Sequence, residues 1–116
     1  MPGDIQAALT ANEELYKKSS GGLYDAIYYA STDEFKANVG RGNVTALLKR
    51  VNQASIGCGP ATLVLTSYQL NGELIDLTYT RKCRASGDIT EKFSWKIAHS
   101  RPMLNSYIVD GPGLHH

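Results

Sequence analysis

Apolar residues recur at helical spacing through the first half of the chain and alternate with polar ones through much of the second. From Asp4 to about Lys18, Ile5, Leu9, Asn12 and Tyr16 fall on one stripe with Ala8 and Leu15 beside it. That spacing predicts a helix, which Asp4 can cap and Ser19-Ser20-Gly21-Gly22 ends. Leu23 to Ala30 predicts a second, short helix with Leu23, Ile27 and Ala30 on one stripe and Tyr24 and Tyr28 on the adjoining one. It is too short to hold itself in water, so packing must hold it. Ser31-Thr32-Asp33-Glu34 has the spacing of a capping box and opens a third helix that runs to about Val39, anchored by Phe35. Gly40-Arg41-Gly42 breaks it, and Asn43 is read as the cap of a fourth helix whose face is Val44, Leu47, Leu48 and Val51. Gly57-Cys58-Gly59-Pro60 stops that helix and opens a run of strands.

Two turn signals set the expected strand register. Asn71-Gly72 suits a two-residue hairpin, because both residues tolerate positive φ; it places Tyr68 opposite Ile75, Thr66 opposite Leu77, Val64 opposite Tyr79 and Pro60 opposite Cys83. Ala85-Ser86-Gly87 reads as a three-residue loop with its glycine left-handed, which sets Arg81 against Glu91, Tyr79 against Phe93, Leu77 against Trp95 and Ile75 against Ile97. One face of the meander is then apolar, and the other shows Asp76, Thr78, Thr80, Thr90, Lys92, Ser94 and Lys96 to water. After a polar turn at His99-Ser100-Arg101-Pro102, Met103 to Val109 is the last strand, with a four- or a five-residue connection equally compatible. Helices first and four consecutive strands afterwards predict an α+β fold: N-terminal helices packed on a curved four-stranded antiparallel sheet. The expected domain is single and covers residues 4–110, with 111–116 a disordered tail in which His115 and His116 are a tag remnant.

The same register brings Cys58 and Cys83 to one face as a diagonal pair, which a twist or a bulge near Gly57 or Gly59 would close into a disulfide. The alternative is two buried free thiols. A bridge implies an oxidising compartment, and with the even cysteine count it points to a periplasmic or secreted protein whose leader is absent here.

Charge excludes more than it suggests. With 12 Lys plus Arg against 11 Asp plus Glu, the chain lacks the concentrated positive field of a nucleic-acid binder or a polybasic membrane protein. No apolar run approaches the ~18 residues of a spanning helix. Seven tyrosines against two phenylalanines suit half-exposed pockets and interfaces, and equally the edge of a core.

The order of elements, with Leu23-Tyr24-Asp25-Ala26 leading into Phe35-Lys36-Ala37-Asn38-Val39, then Val44 to Leu48 and a late Ser106-Tyr107, resembles the nuclear transport factor 2-like (cystatin-like) superfamily. More narrowly it resembles a bacterial exported family, domain of unknown function 4019. The resemblance implies a cone with room for a pocket between helices and sheet. It implies no single activity, since that fold carries isomerases, dehydratases, secretion-system parts and inert scaffolds.

Chemistry is sparse. His99 lies at a turn, better placed for solvent than for general-base work. Asp25 with Tyr24, Tyr28 and Tyr79 is the best candidate ligand pocket; the plainer account of Asp25 is a carboxylate favoured by a helix N-terminus. Arg81, Lys82 and Arg84 cluster at a hairpin tip and could meet an acidic partner, or simply be solvated. Two cysteines and one internal histidine lack zinc-ligand spacing, the Gly-x-Gly pairs fall short of a phosphate-binding fingerprint, and no Gly-x-Ser-x-Gly elbow exists. No catalytic residue, metal or cofactor is assigned. The sequence favours a non-enzymatic binding or interaction module that pairs as a homodimer through its sheet face. The alternative is a cone-pocket enzyme or small-ligand carrier using Asp25 and the nearby tyrosines.

Overall fold

The computed structural model describes residues 2–69, 73–84, 87–99 and 101–112. Four helices precede four strands: α1 (Pro2–Ser20), α2 (Tyr24–Tyr29), α3 (Asp33–Val39), α4 (Arg41–Ala54), β1 (Thr62–Gln69), β2 (Leu74–Arg81), β3 (Ile89–Ala98) and β4 (Arg101–Asp110). The strands form one antiparallel sheet in the order β1-β2-β3-β4, so the α+β architecture with helices N-terminal to the sheet is as expected. Ala8 and Leu15 of α1, Ile27, Phe35, and Val44 and Leu48 of α4 meet Ile75, Leu77, Tyr79, Phe93, Trp95 and Leu104 from the sheet in one core.

The helix ends differ in detail from the sequence reading. Thr32, not Ser31, caps α3: its Oγ1 accepts from the Phe35 amide at 3.1 Å, while the Ser31 hydroxyl turns back and donates to the Ile27 carbonyl at 2.8 Å. Asn43 does not cap α4, which already begins at Arg41. The chain reverses at Gly40, whose φ of 84° only glycine adopts without strain, and the Asn43 amide donates to the Val39 carbonyl at 2.8 Å. That bond satisfies a carbonyl left over at the end of α3.

In the first hairpin Tyr68 pairs with Ile75 and Thr66 with Leu77 as predicted, although Asn71 and Gly72 lie outside the described residues. Beyond Leu65 the expected pairing fails, because Val64 is an extra residue in a bulge and Leu63 faces Tyr79. A further slip sets Cys58 directly opposite Cys83 as an isolated bridge, and the two sulfurs are bonded. The diagonal expected from an unbulged ladder is thereby removed.

The second hairpin is displaced by two residues. Ile75 pairs with Trp95, Leu77 with Phe93, Tyr79 with Glu91 and Arg81 with Ile89, leaving Lys82 to Asp88 as the connection. Past Arg81 the chain is paired on the other side, with the Cys58 segment, where the Gly59 amide donates to the Lys82 carbonyl at 2.8 Å. A shift of two keeps every side chain on its face. Gly87 is left-handed as expected, with φ 81°, while Ala85 and Ser86 are outside the described residues. Ala98 pairs with Arg101, so the β3–β4 connection is shorter than either expected loop. Asp76 is the other departure: it lies on the outer face but is 2% exposed, covered by Gln69, Lys92 and Ser94, whose hydroxyl donates to it at 2.5 Å. Past β4, Gly111 is buried beside Asp88 and Ile89, so the packed structure extends just beyond residue 110.

The disulfide ties the end of α4 to the end of β2 across a sequence separation of 25. Replacing both cysteines by serine is expected to lower the unfolding free energy by about 3.5 kcal/mol, the chain-entropy value for such a loop, as read by urea titration.

Candidate functional site

Alternation along β3 places Glu91 in phase with Phe93 and Trp95, on the face that meets the helices. A carboxylate there must be paired and hydrogen-bonded to be tolerated. Arg81 Nε donates to Glu91 Oε1 at 3.0 Å, the Tyr16 hydroxyl from α1 donates to the same oxygen at 3.0 Å, and the Tyr107 hydroxyl from β4 donates to Oε2 at 2.6 Å. The Arg81 guanidinium lies 5.0 Å from the Tyr16 ring centroid, a cation–π contact. Tyr16 meets Tyr79 and Phe93 edge to face, and Phe93 stacks on Tyr107 with centroids 4.8 Å apart. Sequence reasoning found the Arg81–Glu91 pair but set it near a turn. The signal it passed over was the shared phase of Glu91 with two core aromatics.

This cluster is closed on itself. Glu91 is 2% exposed, and both of its oxygens are occupied. Burial first, and then the Glu91 charge and the hydrogen bond to it, push the Tyr16 and Tyr107 hydroxyls far above the ordinary tyrosine range, with Arg81 opposing. Both act as fixed donors at neutral pH and neither is a reservoir of protons.

The expected pocket residues are dispersed. Tyr24 and Asp25 line an open cleft of about 410 Å³ with Leu23, Thr45 and Lys49, between the start of α2 and α4. The Tyr24 oxygen accepts from Asn52 Nδ2 at 3.2 Å, and the exposed Asp25 carboxylate stands 3.9 Å from Arg41. Tyr28 instead donates to the Lys36 carbonyl at 3.4 Å and packs edge-on to Tyr29. Tyr79 belongs to the core beside Tyr16 and Phe93, and burial pushes its hydroxyl up as well. In the predicted basic patch, Arg81 is turned inward to Glu91, Lys82 Nζ pairs with Asp88 at 2.9 Å, and Arg84 is exposed. His99 is exposed at the β3–β4 turn with φ 52°.

The interior between α1, α3, α4 and the sheet is filled. The space lined by Leu15, Phe35, Val44, Leu48 and Tyr107 is about 20 Å³, too small for anything beyond a single water. A second, half-open cavity of about 160 Å³ is lined by Leu15, Ile27, Trp95 and Leu104 with Glu14 and Lys18. The Trp95 indole donates to Asn12 Oδ1 at 2.9 Å, which leaves the buried Asn12 Nδ2 without a partner among the described residues. No group of three His, Cys, Asp or Glu side chains is placed to hold a metal among the described residues, and no described helix is long and apolar enough to cross a membrane.

Exposed apolar surface gathers elsewhere. Leu63, Val64, Leu65 and Tyr68 of edge strand β1 are 38–60% exposed.

Two outcomes test the closed cluster. Glu91→Leu alone is expected to cost about 3–5 kcal/mol by stranding the Arg81 charge, and adding Arg81→Met is expected to recover part of that loss, both read by denaturant unfolding. The alkaline limb follows from the tyrosines. The unfolded chain loses their protons near pH 10 while the fold retains them. Their stabilising effect is therefore complete below about pH 10 and is withdrawn above it, at up to about 1.4 kcal/mol per pH unit for each of the two. Tyrosinate absorbance should rise for Tyr16 and Tyr107 only together with loss of the fold.

No protein-family model matches this chain, and no curated protein matches it, so the functional reading rests on its own geometry.

Proposed function

We propose that this chain is a non-catalytic binding or interaction module of the nuclear transport factor 2-like, cystatin-like type, working in an oxidising compartment outside the cytoplasm. The observation that carries this is the lack of a free polar centre between helices and sheet. Among the described residues the one carboxylate on the helix-facing side of the strands has its acceptors taken by Arg81, Tyr16 and Tyr107, the space beside it is about 20 Å³, and the half-open cavity of about 160 Å³ is lined mainly by apolar side chains. Acid–base catalysis needs titratable groups whose environments leave one free to give or take a proton beside a substrate. The Cys58–Cys83 bridge supports the compartment, because structural disulfides persist where thiols are not kept reduced. With the inside spent on packing, recognition falls to the surface, where an exposed apolar stripe is the usual mark of a protein contact.

The Asp25 cleft supports a second reading, a small-ligand carrier, through its volume of about 410 Å³ and the presence of Tyr24, Asp25 and Lys49 on its walls. Photo-cross-linking residues installed singly at Val64, Leu65, Asp25 and Lys49 separate the two. Protein adducts of defined mass are expected from Val64 and Leu65 and not from Asp25 or Lys49. A small molecule that stays bound in native mass spectrometry and is lost in Asp25→Asn would replace the module reading with the carrier.

A further inference from the structure

The two edges of the sheet are finished differently. On β4, Arg101 and Asp110 bring charge and Pro102 removes a backbone donor, and the chain before α3 covers part of the edge: the Thr32 amide donates to the Leu104 carbonyl at 2.9 Å, and Thr32 Oγ1 bonds Asn105 at 2.9 Å. Charge, proline, cover and bulges are means by which natural sheets prevent pairing with another strand. Of these β1 has only a bulge, at Val64, which leaves the stretch from Leu65 to Gln69 regular. Thr62-Leu63-Val64-Leu65-Thr66-Ser67-Tyr68-Gln69 contains no charged residue and no proline, and among the described residues no backbone group outside the sheet bonds to it. Its one irregularity, the Val64 bulge, twists the first half of the strand without adding charge.

We infer that the free edge of β1 pairs antiparallel with the β1 edge of a second copy of this chain. This deepens the interaction-module reading by naming the partner, and it rests on that reading. A strand without charge can meet its own copy with no like-charge contact, which an acidic or basic partner strand would not exploit. The faces also agree. Leu63, Thr66 and Tyr68 are opposite Tyr79, Leu77 and Ile75 and so share the helix-facing side, while Leu65 and Ser67 are opposite Thr78 and Asp76 on the outer side. A two-fold axis through Thr66 sets Thr66 against Thr66, Leu65 against Ser67, and Tyr68 of one copy beside Leu63 and Val64 of the other across the bulge. Each pair then lies on one face, as antiparallel register requires. Side chains that are 38–60% exposed in the single chain are those covered by the pairing. The contact is isologous, so it closes at two copies and leaves only the protected β4 edges outside.

A contact of one strand edge falls in the small class below about 1,200 Å². Sedimentation equilibrium of the wild-type chain is therefore expected to show a monomer–dimer equilibrium between about 100 µM and 1 mM. Val64→Lys and Leu65→Lys, at exposed positions, are expected to weaken the dimer by about tenfold or more while keeping the wild-type circular dichroism and melting temperature. Ile108→Lys, 60% exposed on the outer face, is expected to leave it unchanged. Thr66→Cys is expected to form an intermolecular disulfide under mild oxidation. A wild-type chain that stays monomeric at about 1 mM, a dimer lost in Ile108→Lys but kept in the β1 variants, or association that continues past two copies would each overturn the inference. Should β1 cross-link to a different protein while the chain remains monomeric, the pairing fails and the module reading stands. A ligand bound at Asp25 fails the module reading without bearing on the dimer constant.

Discussion

A buried carboxylate holds the helical layer to the sheet. Glu91 is taken out of water by its place between apolar neighbours on β3, a loss that stays tolerable only while charge and donors surround it. Those come from three elements at once: Arg81 on β2, Tyr107 on β4 and Tyr16 on α1. Each of the three must be in place for the carboxylate to be satisfied, so the position of α1 over the sheet and the spacing of three strands are coupled through one side chain. The aromatic rings around it, Tyr79 and Phe93 with the two tyrosines, supply the low-dielectric wall that makes the pairing both strong and unforgiving.

The same arrangement decides what the interior can do. An interior with an empty centre can aim polar groups at a ligand; here the space among Leu15, Phe35, Val44, Leu48 and Tyr107 is packed. The Glu91 carboxylate is fully paired, while Asn12 Nδ2 beside Trp95 has no partner among the described residues. Tyr24, Asp25, Tyr28 and Tyr79 come from positions that one helix and one strand could in principle have converged. Tyr79 is instead committed to the aromatic core, and Tyr28 to the Lys36 carbonyl. Polar chemistry on the outer face is also internal, with Asp76 accepting from Ser94 and Gln69 and flanked by Lys92. Among the described residues, exposed large apolar side chains are scattered at Leu23, Tyr29, Ile56 and Ile108, and gather in one strand only on β1, at Leu63, Val64, Leu65 and Tyr68.

The disulfide and the β1 bulge work together. An unbulged ladder would leave the two cysteines offset. The extra residue at Val64 and the slip before Thr62 bring Cys58 directly opposite Cys83. Beyond that point Lys82 and Cys83 are paired with the Cys58 segment and not with β3, whose pairing ends at Arg81 and Ile89.

Period and turn residues by themselves determined the order of elements and the faces of β2 and β3, because these follow from local side-chain direction, and the even cysteine count pointed to the bridge; the face of Val64 and the register of β4 waited on the fold. The Arg81–Glu91 pair was also legible, since opposite charges on one face of neighbouring strands attract whether the rung is direct or diagonal. The phase of Glu91 with Phe93 and Trp95 marked it for the helix-facing side, but its enclosure was not legible, because only the docking of α1 brings Tyr16 over it. The exact rungs of the second hairpin, the capping of α3 by Thr32 and the dispersal of the Asp25 group were likewise settled by contacts between segments distant in the chain. Tertiary structure decided these because a two-residue shift preserves every face, and so every local preference, while changing which side chains meet.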